Sequence, residues 1–211
     1  MPSLHVQYGR VDALLTESAT ISRFLADAFP SHLIPTAGSV ESALARARID
    51  FFVDTYEVKI HDHGMGMMRL TNDAEREAHF DTMVDTIKSE IEPMLEDAAP
   101  FFAGSKTPTL AEVLIGPFVL RAHTYSRSGL TPPFIHERYS RCPVYWKWAQ
   151  EVIENIPSFY VTWDEKEGLA SVKVRMAEHR AMVRKQVEAE RAKIEAVAEK
   201  SKGEQVTGAG V

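Results

Sequence analysis

A single cysteine stands in 211 residues. A lone thiol builds no internal disulfide framework, so packing must hold the fold, and such usage fits a reducing, cytoplasmic setting. No apolar run approaches the ~18 residues that a membrane-spanning helix needs. The opening MPSLHVQYGR lacks a basic-then-apolar leader pattern. An excess of positive charge is missing too: 24 Lys and Arg stand against 30 Asp and Glu, mixed along the chain, for a net charge of -6. That balance argues against nucleic acid and against an anionic membrane surface as partners. What is present is a 45% hydrophobic composition, enough for one or two domains with a sizeable core.

The most informative stretch is Leu14-Leu15-Thr16-Glu17-Ser18-Ala19-Thr20-Ile21-Ser22-Arg23-Phe24-Leu25. An apolar pair runs into an acid and a hydroxyl, and Ile21, Phe24, Leu25 and Ala28 then recur at helical spacing. Glu17-Ser18 therefore marks a strand-to-helix junction. A helix start offers unpaired N–H groups and the positive end of the dipole to an anion. A ligand carboxylate would gain those groups and the Ser18 hydroxyl, while Glu17 would pair with an ammonium. An amino-acid-like head group carries both charges. The same pair also serves as an ordinary helix cap, and the dipeptide alone does not separate the two uses.

Before the junction, Leu4, Val6 and Tyr8 alternate with His5 and Gln7, a strand-like period with a turn at Tyr8-Gly9-Arg10. After it, the helix ends near Phe29-Pro30, and residues 31–38 form a linker broken by Pro35 and Gly38. Ser39 opens a long helix with Ile49, Phe52, Val53, Tyr56 and Ile60 on one face, fraying around Gly64-Met65-Gly66-Met67-Met68. Asn72 caps a third helix, kinked by Pro93 near its end. Thr109, three residues before Glu112, forms a capping box in front of an almost wholly apolar and therefore buried helix. Gly116-Pro117 inside it requires a kink covered by close packing. Gly129-Leu130-Thr131-Pro132-Pro133 is a loop, Pro143 opens a further helix and Pro157 closes it. Residues 164–200 read as a charged helical extension with a narrow stripe at Leu169, Val172, Met176, Val183 and Val187, and 201–211 as a disordered tail. His61-Asp62-His63 lacks an evident third ligand, so no metal is expected. Cys142 reads as a packed residue.

Several of these elements, in this order, resemble the glutathione S-transferase family over residues 11 to about 160. They are Leu15-Thr16-Glu17-Ser18-Ala19-Thr20-Ile21, the apolar pair and proline of the linker, Arg46-Ala47-Arg48-Ile49-Asp50-Phe51-Phe52, the Phe101-Phe102-Ala103-Gly104 turn with the Thr109/Glu112 box, and Pro157-Ser158-Phe159. The family usually has Asp where Glu112 stands. The chain looks most like fungal-type transferases, including those of secondary-metabolite pathways. The resemblance implies a mainly α fold: a truncated thioredoxin-like α/β remnant over 1–30, a linker over 31–38, the all-helical C-terminal domain over 39–163, and then the long C-terminal helix. The opening β-α-β portion, which in the family carries the Tyr, Ser or Cys that works on sulfur, has no counterpart here. Ser3 and Tyr8 match only by residue type.

The resemblance further implies glutathione as co-substrate, bound at Glu17 and Ser18, and a small hydrophobic electrophile near Phe52, Tyr56, Met65, Phe118, Arg121 and Trp163. The reaction would be conjugation or glutathione-dependent cis–trans isomerisation. The catalytic residue is unknown; Arg46, Arg48, Tyr56, His61 and Arg121 are the donors available to a thiolate. A homodimer is expected, paired through the truncated domain. The alternative is a non-catalytic assembly module like the elongation-factor gamma subunits. A third expectation is that the catalytic segment lies upstream of an incomplete N-terminus.

Overall fold

The computed structural model describes residues 2–70, 72–131 and 135–207. It opens with an antiparallel hairpin, β1 (Ser3–Tyr8) and β2 (Val11–Thr16), closed by Gly9-Arg10 with Gly9 at φ 58°. A glycine at the first position of a two-residue turn supplies the twist that a hairpin needs. Leu4 pairs with Leu15 and Val6 with Ala13, so one face carries all four apolar side chains, half-buried, toward α1 (Ser18–Ala28). The other face, with His5, Gln7 and Asp12, is exposed. Within α1 the fully buried residue is Ala26, and Leu25, which the spacing places inside, is 40% exposed.

The helical part builds on α2 (Val40–Tyr56), whose Ser39 and Ser42 form a reciprocal cap. Ile49, Phe52, Val53, Tyr56 and Ile60 are all buried, as their spacing requires. The helix does not fray at Gly64–Met68. It widens into a π turn over Glu57–His61 and continues as α3 (Asp62–Arg69). The extra residue of a π turn rotates the later face, and Gly64 and Gly66 let α3 lie close to α4 (Asp73–Thr86), where a Cβ would stand 3.7 Å from Met83 Sδ and 3.4 Å from His79 Nε2. Asn72 caps α4 by accepting from the Ala74 and Glu75 N–H groups at 2.9 and 3.2 Å. A second π turn, Ile87–Ile91, leads into a 3-10 turn, Glu92–Leu95, with Pro93 at the start of the latter.

α5 (Leu110–Arg127) is the central helix, with Leu110, Ala111, Glu112, Leu114, Ile115, Gly116, Val119, Leu120 and Thr124 buried. Its Gly116 has a concrete cause. A Cβ there would lie 2.3 Å from the ring of Phe159 and 3.1 Å from Val152. Phe159 belongs to α8 (Pro157–Thr162) and Val152 to α7 (Pro143–Asn155). The missing side chain thus lets two helices seat on the third. The short α6 (Ile135–Tyr139) precedes α7, and the part of the preceding loop at Pro132-Pro133 lies outside the described residues. α7 lacks a side-chain cap of its own; Glu92 supplies one, accepting from the Val144 and Tyr145 N–H groups at 2.7 and 3.1 Å.

The contacts group Met1–Glu165 into one unit and Lys166–Val211 into another. The second is a single helix, α9 (Glu165–Thr207). It runs through 201–207, which composition assigns to a disordered tail; residues 208–211 lie outside the described ones. None of the described helices is long and apolar enough to cross a membrane.

Candidate functional site

The β2–α1 junction is strained and open. Glu17 stands at φ 70°, ψ 125°. A side chain other than glycine at positive φ costs on the order of 1 kcal/mol or more and persists where the surroundings impose it. Here the hairpin and the helix fix the two ends of the bend. Glu17 makes no side-chain cap, and the first turn of α1 contains no acidic residue. The first internal bond runs from the Ile21 N–H to the Glu17 carbonyl at 3.0 Å. The N–H groups ahead of Ile21 therefore have no helical acceptor. Glu17 and Ser18 are both exposed. A helix start without its own cap, an exposed hydroxyl at the first position and an exposed carboxylate beside it are groups that can pair with the anionic and cationic ends of one ligand.

The helix behind this junction is clamped. Arg23 donates from Nε to Asp50 at 2.9 Å and from Nη2 to Asp54 at 3.3 Å, joining α1 to α2. Arg46 pairs with Asp27 and donates to the Pro35 carbonyl at 3.3 Å. These acids and bases were invisible as pairs in the sequence. The available signal was Asp50 and Asp54 at i, i+4 on one face of α2. Next to them, burial pushes the Glu57 carboxyl up, with Arg23 opposing.

The residues expected around an electrophile fall into two groups. Phe118 and Arg121 come together, joined by His61, one of the expected thiolate donors: the His61 ring lies 4.1 Å from that of Phe118, and the Arg121 guanidinium stands 4.9 Å over the same ring. Arg121 Nε donates to the Pro117 carbonyl at 3.0 Å. Burial, then the Arg121 charge, hold the His61 imidazole below its ordinary value. Met65 is 38% exposed on α3, and Trp163 is half-buried after α8, with an indole N–H that has no hydrogen-bond partner among the described residues.

Phe52 and Tyr56 sit instead in the core. Phe52 is fully buried, stacked on Phe102 at 4.8 Å and edge-on to Trp148 at 5.6 Å. Tyr56 bonds Tyr145 through the hydroxyls at 3.1 Å, and burial pushes its phenol up to about 12. Neither offers surface to a ligand in this conformation. Of the possible donors to a thiolate, Arg46 and Arg48 are in ion pairs with Asp27 and Asp97. Cys142 is buried against the Val84 carbonyl, and burial pushes its thiol up to about 11, which keeps it protonated and inert. Ser3 and Tyr8 lie on exposed parts of β1.

No family model matches the chain. A probable glutathione S-transferase GSTU1 of Oryza sativa subsp. japonica is 32% identical over 121 residues, which is 54% of this chain and 51% of that protein. The chain thus spans about half the length of the curated relatives it matches. Among solved structures, glutathione transferase Omega 1C from Trametes versicolor superposes with a TM-score of 0.59 at 19% identity, over 85% of this chain and 76% of that one. Omega 2S from the same fungus, in complex with 2,4-dihydroxybenzophenone, gives 0.52 at 21% identity, over 79% and 70%. The chain resembles the glutathione S-transferase family in sequence and has its mostly helical fold, the thioredoxin-like part being represented here by one hairpin and one helix.

Proposed function

We propose that this chain acts as a glutathione transferase on a hydrophobic electrophile, with Glu17 and Ser18 receiving the γ-glutamyl end of glutathione. The observation that carries this reading is the uncapped start of α1 behind a strained, exposed Glu17. The ligand carboxylate accepts from the Ser18 hydroxyl and the free backbone N–H groups, and Glu17 accepts from the ammonium. Each such charged hydrogen bond contributes on the order of 1.5–3 kcal/mol. The relatives' names support the cofactor, and the benzophenone held by one structural neighbour supports an aromatic, largely apolar second substrate.

Two outcomes fit. In conjugation the thiolate sulfur bonds to an electrophilic carbon, and the displaced electron pair leaves with a leaving group or takes a proton at the neighbouring carbon. In isomerisation the thiolate adds to a conjugated alkene, the resulting single bond rotates, and the C–S bond breaks to restore the alkene. The thiol's ordinary pKa of about 8.5 calls for a stabilising donor. Among the helical candidates this reading assigns the role to His61 and Arg121, which are gathered on Phe118, and assigns Met65 and Trp163 to the electrophile. The same reading puts the chain in secondary metabolism and in the cytoplasm, on its sequence resemblance to fungal-type transferases and its single cysteine.

A homodimer is supported by the apolar side chains that α2 and its π turn leave outside: Leu44, Phe51 and Val58, seven residues apart and each at least 63% exposed. The unpaired outer edges of the hairpin add to it. Incubation with glutathione and a conjugated enone tests the enzyme reading. Product heavier by one glutathione means conjugation, and a reshaped enone of unchanged mass means isomerisation. Unaltered enone, with no retention of the protein on immobilised glutathione, favours the assembly-module reading.

A further inference from the structure

α3 and α4 meet through two imidazoles. The rings of His63 and His79 lie face to face, centroids 3.6 Å apart and planes 6° from parallel. His63 Nε2 bonds the backbone carbonyl of His79 at 2.9 Å, and His79 Nε2 bonds that of His63 at 3.0 Å. A carbonyl oxygen only accepts, so both Nε2 atoms carry hydrogen. In the neutral pair both Nδ1 atoms are therefore bare, and the next proton must go there.

Both residues are half-buried, and Gly66 leaves no side chain between α3 and the His79 ring. Asp62 and Glu75 are exposed, and the other charged groups around the pair are engaged elsewhere. Lys59 and Asp62 precede His63, and Lys59 pairs with Glu90. Glu75 and Arg76 lie one turn before His79, and Arg76 pairs with Asp73 and donates to the Leu130 carbonyl. Arg138 of α6 pairs with Glu77 and Asp81. His61 turns onto Phe118. Among the described residues no carboxylate pairs with either stacked imidazole.

We propose that the His63–His79 stack is an acid-released latch between α3 and α4. One proton can be shared by the stack, because a cation against the face of a neutral ring is favourable and both Nε2–H bonds survive. Two protons put like charges 3.6 Å apart with no counter-charge between them. Opened, the two rings charge independently. The open form thus binds up to one proton more than the closed form, and acid drives opening. Across the range in which imidazoles take up protons, from pH 7.5 down to 5.0, the opening equilibrium rises about tenfold. The released segment is α3, which carries Met65, so acid would loosen that wall of the proposed electrophile site; the latch itself does not depend on that reading.

Amide hydrogen exchange of the folded chain across this pH range, corrected for the intrinsic pH dependence of exchange, tests it. Amides of 63–69 are expected to lose protection about tenfold relative to those of α5. His79→Gln keeps an N–H for the carbonyl but cannot charge, and should flatten the dependence. Nitrogen-15 spectra of the unmodified protein give a second readout, independent of the variant's folding. They should show both imidazoles as Nε2–H tautomers at pH 7.5. Flat protection in the wild type, an equal pH response in His79→Gln, or an Nδ1–H tautomer on either ring would each overturn the proposal.

Discussion

The starts of α1 and α5 each carry an acid and a hydroxyl, and they use them in opposite ways. At the start of α5, Glu112 is fully buried and turned back on its own chain. One oxygen accepts from the Phe102 N–H and the Trp148 indole N–H, both at 2.8 Å; the other accepts from the Thr109 N–H at 2.8 Å and its hydroxyl at 2.7 Å. Thr109 Oγ1 accepts from the Ala111 N–H at 3.2 Å. Every group there has an internal partner. At the start of α1, Glu17 and Ser18 are exposed, the backbone is bent through positive φ, and no side chain caps the helix. The same chemical groups stabilise the fold in one place and stand exposed to solvent in the other. What separates them is position: the acid three residues inside the helix can reach back, and the acid one residue ahead of it cannot.

The sharpest way to break this comparison is to remove the closed junction's acid. Glu112→Ala strands the Phe102, Thr109 and Trp148 N–H donors in the core, and should cost about 3 kcal/mol or more in urea unfolding. A loss under 1 kcal/mol would show that the junction is not closed on itself. Gly116→Ala, on the same helix, should cost roughly 1–3 kcal/mol by overpacking against Phe159. Adding Phe159→Leu should recover part of that cost. An additive loss in the double variant would place the strain elsewhere.

The pH response of the closed region is next in size. Cys142, pushed up to about 11, and Tyr56, pushed up to about 12, stay protonated in the fold while their unfolded counterparts ionise earlier. Their contribution to stability is complete below the unfolded values and is lost as pH rises through about 9 to 12. Cys142→Ala should flatten the first part of that fall, and native protein should resist thiol reagents at pH 8. The open junction should show the smallest stability effects. Ser18→Ala should leave the unfolding free energy unchanged within about 0.5 kcal/mol. Glu17→Gly should stabilise by about 1 kcal/mol, since glycine accepts positive φ freely.

Much of the fold was legible because period and caps agree. The β1–β2 alternation, the α2 face from Ile49 to Ile60 and the Thr109/Glu112 box all have local causes. What was not legible depends on partners distant in sequence. The reach of Glu112 to Trp148, the seat of Phe159 on Gly116 and the stacking of His63 on His79 join residues 16 to 43 positions apart. α3 stays helical through the expected fray at Gly64–Met68, with Met67 buried and both glycines close against α4. At the candidate site the pair Glu17-Ser18 was readable, but the bend that exposes it was not. Phe52 and Tyr56 share the apolar stripe of α2, and a stripe does not say which of its members meets the core and which a ligand.

The central claim is that the α1 junction is a receptor. Isothermal titration of glutathione into the folded wild-type chain and into Ser18→Ala measures it most directly. Saturable heat is expected in the wild type and affinity at least tenfold weaker in the variant, with both proteins equally stable. Equal affinities, or no heat in either at millimolar ligand, would contradict it.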